Sequence, residues 1–159
     1  MARTGFQCKV HYAPNSATAP AFPATGSPAP WALVAGVVTI TLPNREVGEI
    51  DVTELAQVDA NGAADPDMRY DPAPFRNPGE ITFEAHVEPA AFVALDNQTG
   101  QPLWFRFSMP DPDGAGTETG LVGVGKGFLK TFGGAKAEKA EAVKATGVVK
   151  LSGKFVWTA

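Results

Sequence analysis

Three groupings in this sequence have residue types and spacings that chemistry could use. Gly120-Leu-Val-Gly-Val-Gly125-Lys126-Gly127 reproduces the Gly-x-x-x-x-Gly-Lys core of a phosphate-cradling loop. The motif needs Ser or Thr next, to hold magnesium, and a helix whose N-terminus receives phosphate. Here Gly127 takes the hydroxyl's place and Phe128-Leu-Lys-Thr-Phe132 continues as a strand, so the run reads as a strand bent or closely approached at its glycines. Glu84, His86 and Glu88 fall at every second residue and would share one strand face, a spacing compatible with a metal or an acid–base pair. The polar face of any exposed sheet gives the same pattern, and that is the preferred reading. Trp31, Trp104 and Trp157 would suit a carbohydrate platform in a ligand-binding β-sandwich, but Trp157 alternates in phase with Val149 and Leu151, as a core residue does. No nucleophile accompanies His11 or His86 in a triad-like arrangement. The sequence therefore reads as a non-enzyme with no cofactor and no metal.

These residues are positioned mostly by strands. From Pro78 to Leu95 a Pro-Gly turn leads into Ile81, Phe83, Ala85 and Val87 on one side, with Thr82, Glu84, His86 and Glu88 on the other. A period of two marks a strand with one buried and one wet face. Pro89 then suits the first turn of a helix, which Phe92 and Leu95 would anchor. Further alternation predicts strands over 31–42, 48–54, 103–109, 121–132 and 143–157, with 133–142 as a loop that leaves room for helical turns. The predicted fold is mainly β, an antiparallel β-sandwich or barrel flanked by one short α-helix. Residues 1–30, rich in Pro and Ala, read as an extended N-terminal arm, and residues 31–159 as a single domain interrupted by a long loop at 56–78.

Charge and composition narrow the function. There is no apolar run long enough for a membrane helix, and the start lacks the apolar core of a secretory signal, so synthesis in the cytoplasm without a membrane anchor is expected. That expectation leaves Asn97-Gln-Thr99 no glycosylating enzyme to meet. Cys8 is the only cysteine, so no internal disulfide forms. Residues 1–120 hold 15 acids and 6 bases, and residues 121–159 hold 2 acids and 7 bases. Such a split suits head-to-tail contact between copies, though a monomer also tolerates it. In the loop, Met68, Arg69, Tyr70, Phe75 and Arg76 are side chains favoured in buried contacts between proteins. Tyr12 and Phe22 are the corresponding anchors of the arm.

The strings Gly48-Glu-Ile-Asp-Val-Thr53, Gly79-Glu-Ile-Thr-Phe-Glu84 and Lys150-Leu-Ser-Gly-Lys-Phe-Val-Trp-Thr158, in this order, resemble the tail tube (major tail) protein of long, non-contractile-tailed bacteriophages. The match runs from about Trp31 to the C-terminus. The resemblance implies a structural virion protein that self-assembles into stacked hexameric rings, forming the conduit for DNA ejection. It implies a tail-tube-like fold and partners that include further copies of the chain, tail terminator, tape-measure and distal tail proteins, with DNA passing through unbound. The loop at 56–78 would then reach towards the next ring, and the inner strands would close into a channel. Glu49, Asp51, Thr53, Thr82, Glu84 and His86 become candidates for its lining, since a negative wall repels phosphate. Related ring or tube proteins are the alternative: a tail terminator, a connector, or a gene-transfer or secretion tube.

Overall fold

The alternation at Pro78–Leu95 governs the fold as its chemistry requires. The computed structural model describes residues 8–22, 30–51, 70–109, 121–136 and 143–158. Within it Ile81, Phe83 and Ala85 are buried, whereas Thr82 and Glu84 are half-exposed and His86 is exposed. This strand, β6 (Glu80–His86), pairs antiparallel on one side with β3 (Val37–Thr41) and on the other with β9 (Lys144–Thr158). β9 in turn pairs with β8 (Val122–Lys136), β8 with β7 (Pro102–Ser108), β7 with β1 (Lys9–Pro14), and β1 with β2 (Ala32–Val34). Among the described residues these seven strands make one antiparallel sheet, ordered β2-β1-β7-β8-β9-β6-β3.

The sheet's two end strands are consecutive in sequence. Only Ala35 and Gly36 separate β2 from β3, so the ends of the sheet must lie side by side and the sheet is curled into a barrel-like shell. Its closure is made by the chain itself. Gly36 adopts φ +70°, a left-handed conformation, and its carbonyl accepts the N–H of His86 at 2.9 Å. The shell is filled by Val10, Ile81, Phe83, Phe105, Phe107, Leu129 and Val149, all fully buried. Each contributes about 1.5–3 kcal/mol of apolar transfer.

Glycine permits that filling. A Cβ on Gly123 would lie 2.4 Å from the Phe155 ring, one on Gly125 2.4 Å from the same ring, and one on Gly147 2.3 Å from Phe83. The phosphate-loop-like run is thus a core-facing strand cleared for aromatic rings. β9 also carries two extra residues opposite Lys126, between the pairs Gly125↔Phe155 and Gly127↔Leu151. An even insertion keeps the alternation in phase, so Leu151 and Phe155 both remain inside.

The helix α1 (Pro89–Asp96) begins with Pro89 at its first turn and buries Leu95, while Phe92 packs on Phe132 with ring centroids 4.9 Å apart. Residues 44–77 form a second compact unit, a ribbon of β4 (Glu46–Asp51) and β5 (Tyr70–Asn77).

Four departures from the sequence reading concern boundaries. Lys9–Pro14, read as part of the arm, is a sheet strand with Val10 and Ala13 fully buried, while 1–7 and 23–29 lie outside the described residues. The strand expected over 31–42 is divided at Ala35–Gly36. Tyr70–Asn77, placed in the long loop, is strand β5, and β8 continues to Lys136 where a loop was expected from 133. The remainder of that long loop, 56–69, and of the second, 137–142, lies outside the described residues.

Candidate assembly surfaces

β4 and β5 are strands on sequence grounds that pull in different directions. Glu46-Val-Gly-Glu-Ile-Asp51 alternates, whereas Pro72 and Pro74 cannot donate to a ladder and are tolerated because the ribbon has free edges. Pairs directly opposite share a face. Val47↔Arg76, Glu49↔Pro72 and Asp51↔Tyr70 therefore form one face, and Glu46↔Asn77 with Ile50↔Asp71 the other. Two extra residues of β5 bulge between the first two of these pairs.

Among the described residues both faces are largely open. Phe75 is 85% exposed, Tyr70 50%, Ile50 45% and Val47 44%. A lone two-stranded ribbon is marginal in water, and burying each of these side chains would return up to about 1.5–3 kcal/mol. The ribbon is also acidic. β4 and β5 carry Glu46, Glu49, Asp51 and Asp71 against Arg76. Together these features make it a candidate contact surface.

The sequence-predicted residues fall unevenly on this surface. Tyr70, Phe75, Arg76, Glu49 and Asp51 are on the ribbon, while Thr53, Met68 and Arg69 lie outside the described residues. Glu49 and Asp51, read as channel-facing, share their ribbon face with Tyr70 and Arg76, read as contact residues. Thr82, Glu84 and His86 lie on the outer face of β6, opposite Val148, Thr146 and Lys144 of β9. Thr41 and Thr39 of β3 stand beside Thr82 and Glu84, with Thr39 Oγ1 3.5 Å from Glu84 Oε2. Glu80 accepts from Lys130 at 2.9 Å and lies 3.6 Å from Lys150. That face carries hydroxyls together with charges of both signs.

Tyr12 and Phe22 pack within their own chain. Tyr12 lies against the core. Phe22 belongs to a strap, residues 15–22, that runs back over the outer face of β1 and β7. The Arg106 guanidinium carbon is 3.6 Å from the Phe22 ring centroid, His11 meets the same ring edge-on at 5.0 Å, and Trp31 lies at 6.2 Å. The strap's backbone is held by two indoles: Trp31 Nε1 donates to the Pro20 carbonyl at 3.2 Å, and Trp104 Nε1 to that of Ser16 at 3.0 Å. Trp31 is buried and Trp104 and Trp157 are half-buried, with Trp157 packed on the core, so the three tryptophans make no open platform. Sequence reasoning missed this cluster. Its signal was β7 itself, where both faces are largely apolar and an arginine sits in the middle.

Among the described residues, no three His, Cys, Asp or Glu side chains gather as a metal ion requires.

No protein-family model matches the sequence, and no curated protein matches it. Solved structures do. A chain from the tail of an empty gene transfer agent particle, obtained by helical refinement with C6 symmetry, superposes with a TM-score of 0.55 over 81% of this chain and 87% of its own, at 15% identity. A chain from the virion of the native gene transfer agent particle gives 0.55 over 82% and 90%, also at 15% identity. A chain from the 6-fold symmetrised anti-feeding prophage baseplate gives 0.57 over 100% and 97%, at 8% identity. At such identities the likeness is one of fold: a mainly β, tail-tube-like shell with a flanking helix.

Proposed function

We propose that this chain is a structural subunit of a phage-like tail, assembling through copies of itself into hexameric rings that stack as a tube around DNA. The observation that carries the reading is the conjunction of that fold, found in chains of sixfold particles, with an acidic ribbon whose apolar side chains are uncovered. In this reading the ribbon reaches a neighbouring copy, and Glu49 and Asp51 belong to docking together with Tyr70, Phe75 and Arg76. The face of Thr39, Thr41, Thr82, Glu84, His86 and Thr146 lines the channel. Its lysines stand among carboxylates and hydroxyls, which weakens any grip on phosphate. Tail terminator, tape-measure and distal tail proteins would meet the ends and interior of such a tube, placing the chain in the virion tail.

A second reading, a single-ring component of a baseplate or connector, is favoured by one observation: the baseplate chain matches this chain over its whole length.

Negative-stain electron microscopy of the purified protein over a concentration series separates these. Hollow tubes support the tube subunit and isolated six-fold rings the single-ring reading. A strict monomer at every concentration, which also fails to join a tail-tip initiator, would sink both.

A further inference from the structure

The ribbon needs a receiving surface, and the outer face of β7, β8 and β9 has the complementary composition. On β8 the residues pointing away from the core are Val124, Lys126 and Phe128; on β9 they are Lys154 and Val156. Register places Val124 opposite Val156, and Lys126 opposite the two-residue bulge that holds Lys154. Phe128 is 36% exposed and Val156 45%, so apolar surface lies open between the lysines. Lys126 stands 5.1 Å from the Trp104 ring centroid, which fixes its position over the sheet. Lys130 and Lys150 border the patch and bind Glu80. The surface is therefore apolar and basic, where the ribbon is apolar and acidic.

We infer that the β4–β5 ribbon of one copy docks on the Lys126–Phe128–Lys154–Val156 face of a second copy, with Glu49 and Asp51 meeting the lysines. The inference rests on the tail-subunit reading and deepens it by naming the surface that receives the ribbon. Complementary charge fixes partner and direction, because two ribbons repel each other, as do two lysine faces. A patch on one copy that fits a different patch on the next gives a head-to-tail contact, which generates rings or stacks.

The test uses two full-length variants: ribbon-reversed (Glu49→Lys, Asp51→Lys) and face-reversed (Lys126→Glu, Lys154→Glu). Both change exposed or half-exposed side chains, and a thermal melt checks that each folds. Sedimentation velocity at low and high salt reads self-association. Each variant alone should associate at least tenfold more weakly than wild type, given the cost of facing like charges. An equimolar mixture should recover wild-type association, since each supplies what the other lacks. Recovery would support an intermolecular contact. Wild-type assembly by either variant alone would overturn the inference while leaving the tail-subunit reading intact, as would a mixture that stays dissociated. If wild type and mixture both stay monomeric with a tail-tip initiator present, both readings fall.

Discussion

Replacing Gly147 by alanine tests the packing argument on which the shell rests. Gly147 lies directly opposite Phe83 across the β6–β9 ladder, and the Phe83 ring covers it. A Cβ there would stand 2.3 Å from Phe83 Cζ, 2.6 Å from Cε1 and 2.9 Å from Cε2. Ordinary carbon contacts are about 3.5–4.0 Å, so the ring must retreat by roughly 1.2–1.7 Å. It has little room, being 1% exposed with Phe132 6.4 Å away, centroid to centroid. Overpacking of this kind costs about 1–3 kcal/mol, while removing a glycine's freedom in the unfolded chain returns about 0.4–1 kcal/mol. The net expectation is a loss of about 1–2 kcal/mol, or roughly 2–8 °C in Tm for a chain of this size. Urea unfolding followed by tryptophan fluorescence should show a lower midpoint at an unchanged slope. The decisive arm is the same substitution in a Phe83→Leu background. With the ring gone the added methyl has space, and the penalty should shrink by at least half. A neutral or stabilising Gly147→Ala, or a penalty that persists undiminished in the Phe83→Leu background, would refute the reasoning.

Other consequences are open to similar tests. Phe22→Ala removes the ring that lies on the Arg106 guanidinium and should cost about 1–3 kcal/mol, whereas Phe22→Leu should recover the apolar part only, leaving about 0.5–2 kcal/mol of cation–π loss in a melt. Burial pushes the Cys8 thiol above its usual range. Folded protein should therefore react slowly with a thiol reagent at pH 8, and the group's contribution to stability, full below the unfolded thiol's pKa, should be lost as pH rises through the folded value. Glu80 is held below the usual carboxylate range, first by the hydrogen bond from Lys130 and then by the charges of Lys130 and Lys150. Its contribution is present above the unfolded carboxylate value and disappears as pH falls through the folded one. Glu80→Gln should flatten that acid limb of a stability–pH curve, most visibly at low salt. Replacing residues 46–77 by a short Gly-Ser linker should leave the shell folded, because Thr41 and Thr82 pair next to the junction, and should abolish assembly in electron micrographs.

Where side-chain period alone decides structure, the sequence was legible. β6, β7 and β9 and the helix after Pro89 follow from alternation and one proline, and the same alternation marks Ile81, Phe83, Val149, Leu151 and Phe155 as inward-facing. The division at Ala35–Gly36 was not legible, because alternation runs on across it while the chain passes from one end of the sheet to the other. β1 was hidden by the Pro- and Ala-rich composition that follows Ala13, and β5 by Pro72 and Pro74, which are usually evidence against a strand. The candidate surface was legible as composition and not as arrangement. Acids and interface-type residues were visible along the ribbon, but only the register shows that Glu49, Asp51, Tyr70 and Arg76 share a face. A strap folding back on its own chain depends on two indole N–H groups reaching distant carbonyls, and no local pattern encodes that.

The placement of β1 bears on how the molecule is made. β1 precedes the other described strands in the chain, yet it sits between β2 and β7, and its pairing with β7 joins residues such as Val10 and Phe107. Loop closure over that span must wait until β7 has been made, whereas the β7–β8 and β8–β9 ladders join consecutive strands. Folding should therefore start in the β7–β8 and β8–β9 ladders and add β1 to β7 late. A nascent chain halted before Leu103 can pair Val10 with Val34 of β2 but not with Phe107 of β7, so one edge of β1 stays open, and keeping that edge from other chains falls to whatever the cell places at the tunnel exit.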